Sequence, residues 1–161
     1  MTLRLAVMGL GAVGRSVVEL APDYGHVVTA VADSRSSVVD PDGIDAEAVF
    51  DRKDREGVVG SGDPDDALAA EYDVLVEATP TTLGDAEPGF SHVRAALERD
   101  RHVVLANKGP VAERYADLRA LEAESAGTVQ FEATVGGAIP ILSTIADFGP
   151  NQITAARGVL N

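Results

Sequence analysis

The chain contains no cysteine, which excludes disulfides, thiolate metal sites and a cysteine nucleophile. Lysine is almost as scarce: Lys53 and Lys108 stand beside eleven arginines. Positive charge is short overall, with 26 Asp and Glu against 13 basic residues and a formal charge of −13. Such a field repels polyphosphates and anionic lipid surfaces, so neither nucleic acid nor membrane is expected as a partner. No unbroken apolar run approaches the ~18 residues of a membrane helix. The apolar start is interrupted by glycines and followed by Arg15 and Glu19, so no secretory signal is expected and the chain is read as cytoplasmic. An acidic surface nearly purged of lysine suits a salt-rich cytoplasm, where counterions screen self-repulsion. At 161 residues the length is that of one ordinary domain with a sizeable core.

The most informative stretch opens the chain. An apolar run from Leu3 to Met8 ends in Gly9-Leu10-Gly11-Ala12-Val13-Gly14, followed by apolar residues at helical spacing: Val13, Val17, Val18, Leu20 and Ala21. Strand, glycine turn and helix are the context of a dinucleotide-binding fingerprint. Gly9 permits the tight turn, Gly11 lets backbone approach a pyrophosphate, and Gly14 lets the helix pack closely on the strand. The alternative is a purely structural turn, since glycine-rich turns join strands to helices in many α/β proteins.

Further strands are expected at Val27–Ala32, Tyr72–Thr79, His102–Ala106 and Thr128–Glu132. Helices are expected at Asp63–Ala70, Gly89–Arg99 and Val111–Ala126. This alternation predicts an α/β fold, a Rossmann-type doubly wound and mostly parallel sheet covered on both faces. The polar stretch Ser34–Gly62 is expected to hold one short helix near Asp45–Phe50.

Candidate chemistry gathers where strands end. Asp33, 19 residues after Gly14, stands where a carboxylate accepts hydrogen bonds from the adenosine ribose, which favours NAD over NADP. Ser34 adjoins it. Arg35 works against that preference, because a guanidinium can pair with a 2′-phosphate or stack on adenine. The plain alternative for Asp33 is a solvated turn residue. Thr79, in Glu77-Ala-Thr79-Pro, either meets the nicotinamide-side ribose or simply exits the strand. Asn107 and Lys108 end the next strand, and Lys108 is read as a cation that polarises a substrate oxygen or contacts the cofactor, against a surface lysine. Glu132-Ala-Thr-Val-Gly-Gly-Ala-Ile-Pro140 reads as a tight loop, with an oxygen-lined cation site as the lesser alternative. His26, His92 and His102 read as surface or core histidines, and no hydrolytic triad is visible.

Taken together, several stretches resemble homoserine dehydrogenase. They are Gly9–Gly14, Ala32-Asp-Ser-Arg35, Val39-Asp-Pro-Asp-Gly43, Glu77-Ala-Thr-Pro80, His102–Pro110, Phe131–Pro140 and Gly158-Val-Leu-Asn161. The resemblance runs the length of the chain, and its most specific parts are Asn-Lys-Gly-Pro and Glu-Ala-Thr-Val-Gly-Gly. It implies NAD(P)H-dependent reduction of aspartate 4-semialdehyde to homoserine, a step toward threonine and methionine, with NAD favoured. It places the pyrophosphate on Gly9–Gly14, Thr79 and Lys108 on the nicotinamide and substrate side, and a sodium ion on Glu132 with the backbone of Val135, Gly137 and Ile139. Residues 1–140 would be the cofactor domain, with the metal loop at 132–139. Residues 141–161 would begin a substrate and dimerisation domain, Asn161 lying at the start of the stretch that leads into it. The full-length protein would be a homodimer and, with the acidic charge, of halophilic archaeal origin. Because the family's substrate ligands and second lysine lie beyond Asn161, the chain by itself is expected to be inactive. A stand-alone NAD(P)-sensing module is the competing reading, and turnover with homoserine discriminates the two.

Overall fold

The computed structural model describes residues 1–137, 139–149, 154, 155 and 157. The terminal Gly158–Asn161 match falls outside them, as does much of the expected second-domain segment. The elements run β1 (Arg4–Met8), α1 (Ala12–Leu20), a 3-10 turn (Ala21–Tyr24), β2 (Val27–Ala32), β3 (Ser37–Val39), α2 (Ala46–Glu56), α3 (Pro64–Ala69) and β4 (Val74–Glu77). They continue with α4 (Gly89–Leu97), β5 (His102–Leu105), α5 (Gly109–Glu113), α6 (Tyr115–Ala123), β6 (Val129–Gln130), a second 3-10 turn (Glu132–Thr134) and α7 (Ile141–Phe148).

The six strands form one sheet in the order β3-β2-β1-β4-β5-β6. All pairings are parallel except that of β2 with β3, where Ala30, Val31 and Ala32 oppose Val39, Val38 and Ser37. The expected doubly wound architecture is therefore present, with an antiparallel edge added.

Successive strand residues face opposite sides of a sheet, and the core divides accordingly. Leu5 and Val7 of β1, with Val74 and Val76 of β4, pack with Val18 of α1 and Val49 of α2. Ala6, Met8 and Leu75 pack on the other face with Phe90, Val93 and Leu97 of α4 and Leu118 of α6. Leu75, Leu97, Leu105, Leu118 and Phe90 are essentially sealed from solvent, each burial worth roughly 1.5–3 kcal/mol. Glu77 has the parity of Leu75. It is thereby aimed at the α4 face, a fact that governs the site.

Three expectations need correction. The Ser34–Gly62 stretch is more ordered than its polarity suggests, because it holds β3 as well as a helix. That helix runs eleven residues, started by the Asp45 side chain, which accepts the Ala48 N–H at 3.1 Å, and stopped by Gly57 at φ 73°. Val111–Ala126 is two helices rather than one, since Arg114 leaves the helical region at φ −128°. Its guanidinium lies 4.1 Å from the centre of the Phe90 ring and bonds Asp117 at 2.6 Å, which fixes the break. The strand expected at Thr128–Glu132, β6, is shorter, Val129–Gln130, because residues from Glu132 turn into a 3-10 helix.

Candidate functional site

After β1 the chain passes to the α1 face, and after β4 it passes to the α4 face. Their adjacent carboxyl ends therefore open a crevice, the place where doubly wound sheets bind ligands. It has a volume of about 760 Å³ and is lined by the glycine turn, Asp33, Ser34, Lys53, Thr79 and His92 among others. A second hollow of about 570 Å³ follows the outer side of α1 between Val13, Leu20 and Tyr24. Its walls are almost wholly apolar, so the chemistry lies in the crevice.

Backbone makes one wall. Gly9 sits at φ 96°, and a Cβ there would come within 2.6 Å of the Ala78 carbonyl oxygen. A Cβ on Gly14 would meet the Gly9 carbonyl oxygen at 1.9 Å, which is why α1 can start so close to β1. Gly11 differs: a Cβ there would meet nothing within 4 Å. Its missing side chain leaves room that the protein itself does not fill. Gly11 caps α1 without a side-chain hydrogen bond, and the first turn holds no acidic residue. The N–H groups and positive dipole end of α1 thus open on the crevice beside Gly11, Ala12 and Val13.

At the β2 end, one oxygen of Asp33 accepts the N–H groups of Arg35 and Ser36, each at 2.8 Å, and the Ser36 hydroxyl at 3.1 Å. The other oxygen receives the Lys53 ammonium at 2.5 Å. Burial alone pushes this carboxyl up, but Lys53 and the N–H donors outweigh it and hold Asp33 below the ordinary carboxylate range. Arg35 is not where the sequence expectation put it. Its guanidinium donates to the Gly57 carbonyl, which also accepts from the Lys53 ammonium at 3.1 Å, and of these two cations it is Lys53 of α2 that lines the crevice. From the sequence, Lys53 is only a possible determinant, beside Arg35, of a preference for NADP, its signal being the rarity of lysine.

Side chains make the opposite wall. Glu77, fully buried, accepts the Thr79 N–H at 3.0 Å, the Thr79 hydroxyl and, at 3.4 Å, the Asn107 amide. Its second oxygen lies 2.6 Å from His92 Nδ1. Asn107, also buried, further donates to the Thr79 hydroxyl at 3.1 Å and accepts the Gly109 N–H at 2.9 Å. It is a strut between the β4 and β5 exits rather than part of the crevice lining. Glu77 and His92 were both missed as site residues: Glu77 was read only as part of the Glu77-Ala-Thr-Pro80 stretch around Thr79, and His92, 15 positions on, belongs to no motif. Lys108 is exposed at the start of α5; its N–H donates to the Thr81 hydroxyl at 3.2 Å. Its side chain has no ion pair among the described residues and lies outside the crevice lining.

The expected cation loop is arranged otherwise. The two oxygens of Glu132 accept the Leu142 and Ser143 N–H groups, each at 2.9 Å, which caps α7. The Leu142 N–H is the chief cause holding this carboxyl below its usual range, against a smaller opposing effect of burial. The Ile139 carbonyl already accepts the Ile141 N–H at 2.9 Å. Two of the four expected oxygen sources, with Val135 and Gly137, are thus engaged within the chain. Among the described residues no cluster of three acidic or imidazole ligands exists. As arranged here, Glu132 caps α7, and a cation at this loop would share its oxygens with the Leu142 and Ser143 N–H groups.

A glycine turn on a doubly wound sheet, opening on a crevice with a carboxylate at the next strand end, defines a dinucleotide-binding domain. The chain belongs to the family described as Glutamate/Leucine/Phenylalanine/Valine dehydrogenase, whose model matches residues 2–83, just over half of its length. That match stops short of residues 102–140, where the more specific motifs lie. Relatives that match throughout are homoserine dehydrogenases. That of Methanocaldococcus jannaschii is 30% identical over 98% of this chain and 52% of its own length. An NAD(+)-dependent homoserine dehydrogenase of Pseudomonas canavaninivorans is 30% identical over 98% of this chain and 51% of its own. The crystal structure of homoserine dehydrogenase from Thermoplasma acidophilum superposes with a TM-score of 0.79 at 26% identity, covering 92% of this chain and 48% of that one. The chain thus spans about half the length of the curated relatives it matches.

Proposed function

We propose that the chain is the NAD(P)-binding part of a homoserine dehydrogenase, the enzyme that interconverts aspartate 4-semialdehyde and homoserine in threonine and methionine synthesis. The observation that carries this reading is the open space at Gly11, beside the uncapped start of α1 and in line with Asp33 and Thr79. An extended, doubly charged pyrophosphate fits that cradle, and the fit does not depend on any relative. Bound there, the nicotinamide cofactor supplies or takes up the hydride.

The residues divide the work of holding it. Gly9 to Gly14 present backbone to the pyrophosphate. Asp33, with Ser34, orients the adenosine ribose hydroxyls, which favours NAD, while the Lys53 ammonium tempers the rejection of a 2′-phosphate. Thr79 borders the nicotinamide side. In the whole protein Lys108 polarises the reacting carbonyl oxygen once a substrate domain covers it. Residues 1–140 form the cofactor domain and 141–161 lead toward that substrate domain, whose pairing makes a cytoplasmic homodimer. A sodium ion at Glu132 would have to share its oxygens with the α7 N–H groups, so no step is drawn through it.

Calorimetric titration with NADH tests the reading. The 161-residue chain should bind NADH yet catalyse no homoserine oxidation, because none of the described residues is placed to hold a substrate carbonyl in line for hydride transfer. Joining the remaining length of a homoserine dehydrogenase should restore turnover, and Lys108→Ala should then lower it by roughly 10²–10³-fold. Absence of NADH binding sinks the proposal, and robust turnover by the short chain overturns the division of roles.

We also infer a halophilic archaeal source from the −13 charge and two lysines. Its check is thermal melting, which should rise from low to molar salt as screening relieves repulsion; a melting point indifferent to salt refutes it.

A further inference from the structure

We propose that His92, held by the buried carboxylate of Glu77, is a direct hydrogen-bonding contact for the non-adenosine half of the dinucleotide. The inference rests on the dinucleotide reading above, and goes beyond it by assigning a residue that no spaced motif marks.

The pleat of β4 sets the geometry. Leu75 and Glu77 face α4, and α4 carries His92 one turn after its start, so the imidazole meets the carboxylate at 2.6 Å. The Glu77 side chain is fully buried, and His92 is its one ion-pair partner among the described residues. A buried carboxylate needs donors on both oxygens. Thr79 and Asn107 supply them on Oε1, and among the described residues the only donor to Oε2 is His92 Nδ1. Glu77 therefore fixes the ring with its proton on Nδ1, as a carboxylate does for an oriented imidazole. Nε2 is left as the working nitrogen. It has no protein partner among the described residues and is not among the sealed, unpaired polar atoms. The side chain keeps 12% of its surface exposed, and the surface it reaches is the crevice.

Position selects which part of the ligand it meets. The strand ends of β2, β1 and β4 lie side by side at ~4.8 Å spacing, carrying Asp33, the glycine turn and Glu77 in that order. A ligand with its adenosine ribose on Asp33 and its pyrophosphate on the glycines brings its far half against Thr79 and His92. Hydroxyl and carboxamide groups are what that half offers to an imidazole nitrogen.

The test compares two ligands, NADH and ADP, the second lacking the half that His92 is assigned to. Wild-type chain should bind both; failure to bind either refutes the dinucleotide reading itself and with it this proposal. His92→Ala should weaken NADH about five- to tenfold, the worth of one hydrogen bond, and leave ADP unchanged. Equal NADH affinity in His92→Ala and wild type overturns the proposal. A loss of both ligands would mean that the variant does not fold, and the decision then passes to the wild-type protein. With ¹⁵N-labelled histidine, the His92 Nε2 resonance should move on adding NADH and stay in place on adding ADP. An Nε2 resonance that ignores NADH, or that responds equally to ADP, reduces His92 to a support for Glu77.

Discussion

The two walls of the crevice are built on different principles. The β1 wall is backbone: three glycines, a helix start and almost no side-chain chemistry. The β4 wall is made by side chains that converge from several elements: His92 from α4 lines it, and Glu77 from β4 and Asn107 after β5 brace it from behind. A backbone wall is specified by residues that must be small at fixed spacing. A converging wall is specified by which elements touch, and that is settled only when the sheet has formed. The first tolerates no added atom at Gly9 or Gly14, whereas the second tolerates no lost partner.

The sharpest way to break that comparison is within the glycine turn. Gly14→Ala should abolish the cooperative fold, because its Cβ would overlap the Gly9 carbonyl at 1.9 Å and backbone cannot yield there. Gly11→Val should leave thermal unfolding nearly unchanged, since its side chain enters open space, while NADH affinity falls more than about 100-fold on loss of the pyrophosphate seat. If the two variants unfold alike, the assignment of separate roles to these glycines is wrong.

On the opposite wall, Glu77→Ala should cost about 3 kcal/mol in urea unfolding, because it strands Thr79, Asn107 and His92 at once. Thr79→Ala should cost about 1 kcal/mol, as the Asn107 amide retains other acceptors. Similar losses from both would mean that Glu77 is not the hub of that wall.

Much of the fold is legible in the residue order. Val27–Ala32 and His102–Leu105 are β-branched runs that could be little else, and Gly9-x-Gly11-x-x-Gly14 marks its own turn. The short edge strand Ser37–Val39 is not legible, because three residues carry no periodicity. Nor is the helix break at Arg114, where no glycine or proline stands and the cause is a contact with Phe90, 24 positions earlier. The site divides in the same way. The glycines and Asp33 could be placed by counting from one another, whereas Lys53 reaches Asp33 across 20 residues because α2 returns over the sheet. Glu77 and His92 stayed hidden because a carboxylate at a strand end and a histidine on a helix are each commonplace until packing brings them together.

The smallest effect expected sits beyond the backbone wall, at the end of β2. Asp33 has its carboxyl held below the ordinary range in the folded state. Its contribution is therefore present above about pH 4, the unfolded value, and is lost as pH falls through the lower folded value. Asp73, held down chiefly by its hydrogen bond from Arg4, adds to the same loss. Urea midpoints should thus drop below about pH 4. Asp33→Asn should lower stability by about 1 kcal/mol at neutral pH and make that acid drop shallower. An unchanged acid profile in Asp33→Asn would deny the Lys53 pair any energetic part.

The antiparallel edge has a consequence of another kind. A sheet whose rim offers unpaired backbone invites other chains to add strands, the first step toward aggregates. Here β3 is three residues long, and Ser37 exchanges both backbone hydrogen bonds with Gly62, at 2.9 and 3.1 Å. The opposite rim, β6, is only two residues long. Each border of the sheet is thus too brief, and one is already occupied by its own chain, to serve as a template for intermolecular growth.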